Sequence, residues 1–364
     1  MIKLSMISII GAGPAGSYLA YLLSKSGKKV QIFEEHNSVG SPVQCTGIVT
    51  NSISKFIKLK KEFVINSIST ARIFSNNGNF VETKLKNPNI ILDREKFDSY
   101  LSKKAVKSGA VLNLSSKFEG FEGKKIIIKR NNKLEKIHSD YIIGADGPLS
   151  SVAKNSGLWL KSSRQFMTGI QTRARLKNDN AVEFYPFAEG FAWIVPESNN
   201  IVRIGLAAKY NVANLFDNFL KNKKITKKDI IEKQGGLIPL YKKVRLQKQN
   251  IFLLGDAALQ VKATTGGGIV QGFTAAKALA ESICKKKSYS SLLRNLNFEL
   301  WIHKKARDTL DKLSSEDYNK LIKIFQKPKN RKVLESVDRD NLSLLVIKIL
   351  FTEPQLLQFL RYII

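Results

Sequence analysis

Ile7-Ser8-Ile9-Ile10-Gly11-Ala12-Gly13-Pro14-Ala15-Gly16 is the stretch whose reading decides the fold. An apolar run enters a glycine turn, and Ser17 to Ser26 continue as a helix that Gly27 ends. Strand, turn and helix in that order bring free backbone N–H groups and the positive end of a helix to one point, which suits a pyrophosphate. Gly11 permits the tight turn, Gly13 leaves the backbone open to phosphate oxygens, and Gly16 lets the helix approach the strand. Pro14 is compatible with a first helical turn. A second strand, Lys29 to Glu34, ends in an acid at the spacing of a ribose contact, with Glu35 beside it. Gly11, Gly13, Ala15, Gly16, Glu34 and Glu35 are therefore the candidates for holding a dinucleotide. The competing reading is a structural strand-turn-helix with no ligand.

The chain has 364 residues, enough for two or three structural units, and 43% of them are hydrophobic, as in a globular protein. Its first six residues lack the order of a signal peptide. The most apolar candidate for a membrane span, Leu342 to Ile364, is interrupted by Lys348, Glu353, Pro354 and Arg361. Two distant cysteines, Cys45 and Cys284, do not make a disulfide framework, so a reducing, cytoplasmic setting is expected. No metal ligand set is assigned. The formal net charge of +30 admits three readings: nucleic-acid binding, attraction to an anionic membrane surface or lipid, and compositional drift. No nucleic-acid module or aromatic-interleaved basic stretch is found, so no nucleic-acid partner is expected. The basic residues are spread along the whole chain, as drift predicts, and such a surface would still favour peripheral contact with an anionic bilayer.

Pro42-Val43-Gln44-Cys45-Thr46-Gly47 forms a small-residue loop, in which Cys45 is either a buried small hydrophobe or a thiol near a reacting centre. Residues 67–86 alternate around Asn76-Asn77-Gly78-Asn79 and read as a hairpin. Asp93 caps a helix running to Lys107, and Arg94 in its first turn opposes the helix dipole, which calls for an anionic partner. Tyr141-Ile142-Ile143-Gly144-Ala145-Asp146-Gly147 is a buried strand ending where ligands bind open α/β sheets; a turn and cap role for Asp146 is the alternative. Residues 168–208 read as antiparallel strands. Within them Phe191, Trp193 and Val195 share one face, either ordinary core or an apolar substrate wall. Residues 212–234 read as basic helix. Ile251 to Ala258 repeats the strand ending in Gly255-Asp256. Gly266-Gly267-Gly268-Ile269 then opens a helix to about Cys284, where backbone could approach a flat ligand. The remainder reads as helices.

Three pieces in this order, the opening glycine motif with Glu34, the Gly-Ala-Asp-Gly strand end, and Gly-Asp-Ala-Ala with its glycine run, resemble the flavin-dependent oxidoreductases of the para-hydroxybenzoate hydroxylase fold. The resemblance spans residues 5 to 285 and is strongest to the geranylgeranyl reductase branch, on Pro42 to Gly47, Phe191 to Pro196 and Gly255 to Gly268. Val195 stands where that branch usually has Phe, and Ala263 where it often has Pro. The resemblance implies an α/β chain with a Rossmann-like FAD-binding domain (1–66, 87–158 and 245–287), an inserted antiparallel substrate sheet (67–86 and 159–244), and a C-terminal helical region (288–364). It implies FAD as cofactor, held at Gly11, Gly13, Ala15, Gly16, Glu34, Glu35, Cys45, Gly47, Arg94, Asp146, Gly147, Gly255, Asp256, Gly267, Gly268 and Ile269. It implies a polyprenyl pocket at Phe191, Trp193 and Pro196. The activity implied is saturation of geranylgeranyl carbon–carbon double bonds, as in archaeal ether lipids, by hydride transfer from reduced flavin. Cys45 or a flavin-bound water is the candidate acid, and a ferredoxin-like carrier or NAD(P)H the electron donor. A flavin monooxygenase and an electron-transfer protein of a quinone system are the rival readings.

Overall fold

The computed structural model describes residues 5–159 and 164–362, apart from the side chains of Leu357, Leu360 and Arg361. The two ends of the expected division into domains, and residues 160–163 of the expected substrate sheet, lie outside the described residues.

A six-stranded sheet carries the opening motif. Its strands are β1 (Met6–Ile10), β2 (Lys29–Phe33), β6 (Val111–Asn113), β10 (Tyr141–Gly144), β16 (Gln247–Lys248) and β17 (Ile251–Leu253), in the spatial order β16-β17-β10-β1-β2-β6. All pairings are parallel except β16 with β17. Near-continuous apolar strands such as Ile7–Ile10 need cover on both faces. One face is covered by α1 (Pro14–Lys25), α2 (Arg94–Lys107) and α5 (Ile269–Lys285), whose apolar sides form the largest core cluster, with Leu19, Leu23, Phe97, Leu101 and Phe273. Tyr18 of α1 stacks on Phe273 of α5 at 4.3 Å between ring centres. Pro14 starts α1 as its sequence suggests, and the Asp93 carboxylate accepts from the Lys96 N–H at 3.1 Å to start α2. The other face packs on α3 (Ser151–Ser156) and a small sheet of β7 (Lys117–Glu122), β8 (Lys125–Arg130) and β9 (Lys133–His138).

The second large sheet has eight strands: β3 (Ile48–Val49), β4 (Val64–Phe74), β5 (Phe80–Leu92), β11 (Phe166–Arg175), β12 (Ala181–Phe187), β13 (Gly190–Ser198), β14 (Ile201–Ala208) and β15 (Ile230–Pro239). Their order is β15-β11-β14-β13-β12-β4-β5-β3, antiparallel throughout except where β4 meets β12 in parallel. The expected hairpin is thus β4 and β5, and it extends the inserted sheet. β5 continues to Leu92 because Ile90, Ile91 and Leu92 are buried, so the expected boundary at residues 86 and 87 falls inside a strand.

Residues 212–234 differ from the helix their basic composition suggested. α4 (Val212–Asn222) stops at Asn222, and residues 230–239 are strand. β15 pairs along β11, with Gly235 and Gly236 opposite Ile170 and Gly169, and it is one of the sheet's two outer strands. Exposed Glu232 and Lys233 are the charged residues such an edge carries against further strand addition.

Beyond α6 (Tyr289–Leu292) the chain forms α7 (Arg294–Lys312), α8 (Ser315–Gln326), α9 (Pro328–Ser336) and α10 (Leu342–Thr352). α7 docks on the tip of β12 and β13 through fully buried Arg307, which donates to the Gly190 and Phe187 carbonyls at 3.1 and 3.0 Å and pairs with Asp311 at 2.7 Å.

Candidate active site

The site lies where β1, β10 and β17, adjacent in the first sheet, end in glycine-bearing turns. At Gly11 (φ 101°) a Cβ would stand 2.4 Å from the Ala145 carbonyl oxygen, and at Gly16 one would stand 2.2 Å from the Gly11 carbonyl oxygen. Both are glycines because protein backbone occupies the space. Gly13 is different: a Cβ there meets nothing within 4 Å. The space before it is kept open, as a ligand cradle requires. Ala15 packs rather than cradles, since Cβ atoms on Gly255 and Gly272 would lie 3.2 and 3.1 Å from its methyl. The Ala12 N–H donates to Glu34 Oε2 at 2.8 Å, and Glu34 Oε1 lies 2.6 Å from His36 Nδ1. Glu34 is buried at the end of β2, and Glu35 is exposed.

Asp146 uses its carboxylate within the chain. It accepts from Ser150 Oγ at 2.6 Å and from the Val152 N–H at 3.0 Å, holding the start of α3, the turn and cap role that its sequence also allowed. Burial raises its pKa, against those bonds. Gly147 beside it (φ 76°) faces open space. Asp256 sits on the turn after β17. Burial pushes its carboxyl up to about 6, with the Arg94 guanidinium opposing. A Cβ at Gly268 would approach Asp256 Oδ1 to 3.1 Å, so this carboxylate underlies the glycine run just before Ile269 opens α5.

The Cys45 loop borders the site through Arg94, whose guanidinium acts on both Cys45 and Asp256. Gly47 (φ 72°) is pinned between the Leu92 carbonyl and the Arg203 guanidinium, 2.6 and 2.8 Å from where its Cβ would be. Cys45 is half-buried, and its Sγ accepts from the Gly47 N–H at 3.4 Å and lies beside Arg94. The anionic partner expected for Arg94 is on its own helix: two bonds to Asp98, at 2.7 and 3.0 Å. Burial works against the Arg94 charge, but Asp98 and Cys45 hold its pKa above the ordinary value.

The inserted sheet supplies an apolar wall. Phe191 stacks on Phe184 at 5.2 Å and stands 5.6 Å from Trp193. A Cβ at Gly266 would lie 3.5 Å from the Phe191 ring, so this wall abuts the glycine run. Trp193 lies over Gly205 of β14, its partner across the strands; a Cβ there would stand 2.4 Å from the indole. Pro196 is not part of this wall. Strand alternation puts it on the side of Ala192 and Ile194, whose cluster faces α4.

Several residues of the site carry no motif. Arg203 donates to the carbonyls of Thr46 and Leu92 and pairs with Glu197 at 2.5 Å, fixing the Cys45 loop from the sheet. Its signal was a charge inside an apolar strand, Ile201-Val202-Arg203-Ile204. Lys262 runs beneath Gly267, with Cε 2.9 Å from where a Cβ would stand, and pairs with Asp340. Asp340 also takes bonds from Thr50 and from Gln271 at 3.2 Å. Buried His303 shares a 2.6 Å hydrogen bond with Thr264 through Nδ1, and its Nε2 has no partner among the described residues. Arg164, also buried, stacks on Trp159 at 4.1 Å and donates to the Ala257 carbonyl at 2.8 Å; its Nε and Nη1 have no partner among the described residues. Burial lowers its pKa to about 10, with the attraction of Asp146 opposing.

Residues 4–288 match the family described as FAD binding domain. The chain belongs to this family. A digeranylgeranylglycerophospholipid reductase of Methanosphaera stadtmanae is 33% identical over 78% of this chain and 79% of its own length. Another of that name, from Methanococcus vannielii, is 28% identical over 98% of both chains. Among solved structures, a geranylgeranyl bacteriochlorophyll reductase-like protein from Thermoplasma acidophilum covers the full length of both chains with a TM-score of 0.86 at 23% identity, which shows a shared fold. This flavoprotein is an oxidoreductase of the geranylgeranyl reductase branch, and FAD is its cofactor. Its own geometry fits that cofactor: an open cradle before Gly13, a carboxylate at the end of β2, the Asp256 carboxylate beneath the glycine run, and a buried Arg164 guanidinium with nitrogens unpartnered among the described residues. No helix among the described residues is long and apolar enough to cross a membrane.

Proposed function

We propose that this protein saturates the isolated double bonds of geranylgeranyl chains on archaeal-type ether lipids. The observation that carries the reading is the direct junction of the glycine run with an aromatic, apolar wall: Gly266 against Phe191, and Phe191 against Trp193. An unactivated alkene develops no oxyanion, so a site for it needs apolar positioning and exclusion of water more than charged donors. Relatives named digeranylgeranylglycerophospholipid reductase support the substrate class.

Gly11, Gly13, Gly16 and Glu34 would hold the ADP half of FAD, Gly147, Asp256 and Arg164 its middle, and Gly266 to Ile269 its ring. Reduced FAD bound there supplies a hydride. Cys45, which lies beside the Arg94 guanidinium, supplies the proton from Sγ to the neighbouring carbon. Electrons enter from a ferredoxin-like carrier or from transiently bound NAD(P)H.

The test is incubation of FAD-loaded, dithionite-reduced protein with a geranylgeranylated glycerophospholipid, read by mass spectrometry. Gain of two hydrogens per double bond is the expected result. No gain with flavin still bound overturns the reading, and oxygen uptake coupled to hydroxylation would make the protein a monooxygenase instead.

A further inference from the structure

The C-terminal helices expose an apolar surface that the fold does not cover. On α10, Leu344, Ile347 and Phe351 form one stripe at i, i+3 and i+7, with Phe351 85% exposed. On α7, Phe298 and Trp301 are also exposed and stack on each other at 6.0 Å. Glu299, between them in sequence, accepts from the Ser343 N–H at 3.2 Å, which ties the start of α10 to this part of α7. A groove of about 380 Å³ opens between α9 and α10, lined by Val333, Ile347 and Phe351 with Lys332 and Lys348. Exposed large side chains scattered singly need no explanation, but two stripes on neighbouring helices do.

We propose that this surface docks the enzyme on an anionic lipid bilayer, an inference that rests on the lipid-substrate reading above. Charge complementarity selects the occupant. The groove sets apolar side chains beside Lys332 of α9 and Lys348 of α10 on a chain of net charge +30, a pairing that suits the interface of an anionic bilayer. The exposed Phe298 and Trp301 of neighbouring α7 are side chains that suit the headgroup level. At eleven residues α10 is about 16 Å long, too short to span a membrane, so it lies on one. The surface also connects to the site. Asp340, bonded to Lys262 beneath the glycine run, is separated from α10 by Asn341 alone.

The experiment is co-sedimentation of the FAD-loaded full chain with vesicles of phosphatidylglycerol in phosphatidylcholine, and with phosphatidylcholine alone. Binding is expected to the first, with weakening as salt rises. Ile347→Glu with Phe351→Glu should lower it about tenfold, and Leu134→Glu, at an exposed leucine on β9, should leave it unchanged. Flavin absorbance and gel filtration confirm that the variants fold. Wild-type protein remaining in the supernatant, or the double variant sedimenting as wild type does, overturns the proposal. So does a dimer in gel filtration that the double variant splits, which would assign the surface to a second copy. Reduction of detergent-dispersed lipid reads the activity separately: turnover without vesicle binding sinks the docking surface alone, and absence of turnover sinks the substrate reading.

Discussion

The carboxylate of Asp340 pairs with the ammonium of Lys262, 78 residues earlier in the chain, in a nearly solvent-free contact. Burial works to raise the Asp340 pKa, but Lys262, Thr50 and Arg339 hold it well below the usual carboxylate range. One side chain of the C-terminal region thus ties together the loop before the glycine run, helix α5 through Gln271, and the segment after the Cys45 loop through Thr50. Asp340→Asn should destabilise the protein by about 3–5 kcal/mol in urea unfolding, because it strands a buried ammonium. Lys262→Met with Asp340→Leu should recover most of that loss. An equal loss in both variants would show that the pair is not what holds the region.

The glycines of the opening motif should separate under alanine substitution. Gly16→Ala drives a methyl to 2.2 Å from the Gly11 carbonyl oxygen and should lower thermal stability strongly. Gly13→Ala meets no protein atom, so the apoprotein should melt at the wild-type temperature while FAD affinity, read by fluorescence titration, falls at least about tenfold. Wild-type affinity in Gly13→Ala would mean that this space is not the cofactor's.

Asp256 should trade stability against cofactor binding. Its folded pKa of about 6 is raised above the ordinary value of 3.8, so its contribution to stability is present below pH 3.8 and lost as pH rises through 6. At pH 7 Asp256→Asn should therefore make the apoprotein more stable, by about 1–3 kcal/mol, and bind FAD more weakly. A destabilised apoprotein would contradict the origin assigned to the shift.

His303 should make the fold acid-sensitive. Burial, helped by the Lys262 ammonium, depresses its pKa from 6.5 to about 3. The stability it contributes is present above pH 6.5 and lost as pH falls toward 3, about 2 kcal/mol of it between pH 6.5 and 5. Urea midpoints at the two pH values measure this, and His303→Asn should flatten the difference.

The Trp193 indole should govern substrate rather than cofactor. Gly205→Ala places a methyl 2.4 Å from the ring and must displace it. KM for the lipid should rise about tenfold or more with FAD affinity unchanged. Equal losses of both would place the indole against the cofactor instead.

The nucleotide-binding half was legible in the chain because its signals are local. Gly11, Gly13 and Gly16 follow one strand directly, Glu34 ends the next, and Asp93 caps its own helix three residues ahead. Short-range geometry fixes what such residues do. The helix expected at 212–234 failed for the complementary reason: Ile230 to Pro239 is strand because β11 offers a partner, and no local propensity records that. Pro196 left the apolar wall because strand alternation turns it to the other face.

By itself, then, the sequence determined the cradle for the dinucleotide, the existence of an inserted sheet, and the strip holding Phe191 and Trp193. Only the tertiary structure decided what surrounds them. Arg203 reaches the Cys45 loop from 157 residues away, Thr264 meets His303 from 39, and Lys262 meets Asp340 from 78. These are single polar side chains with no spacing rule. Burial makes each partner obligatory, and which residue supplies it is set by the packing of whole elements.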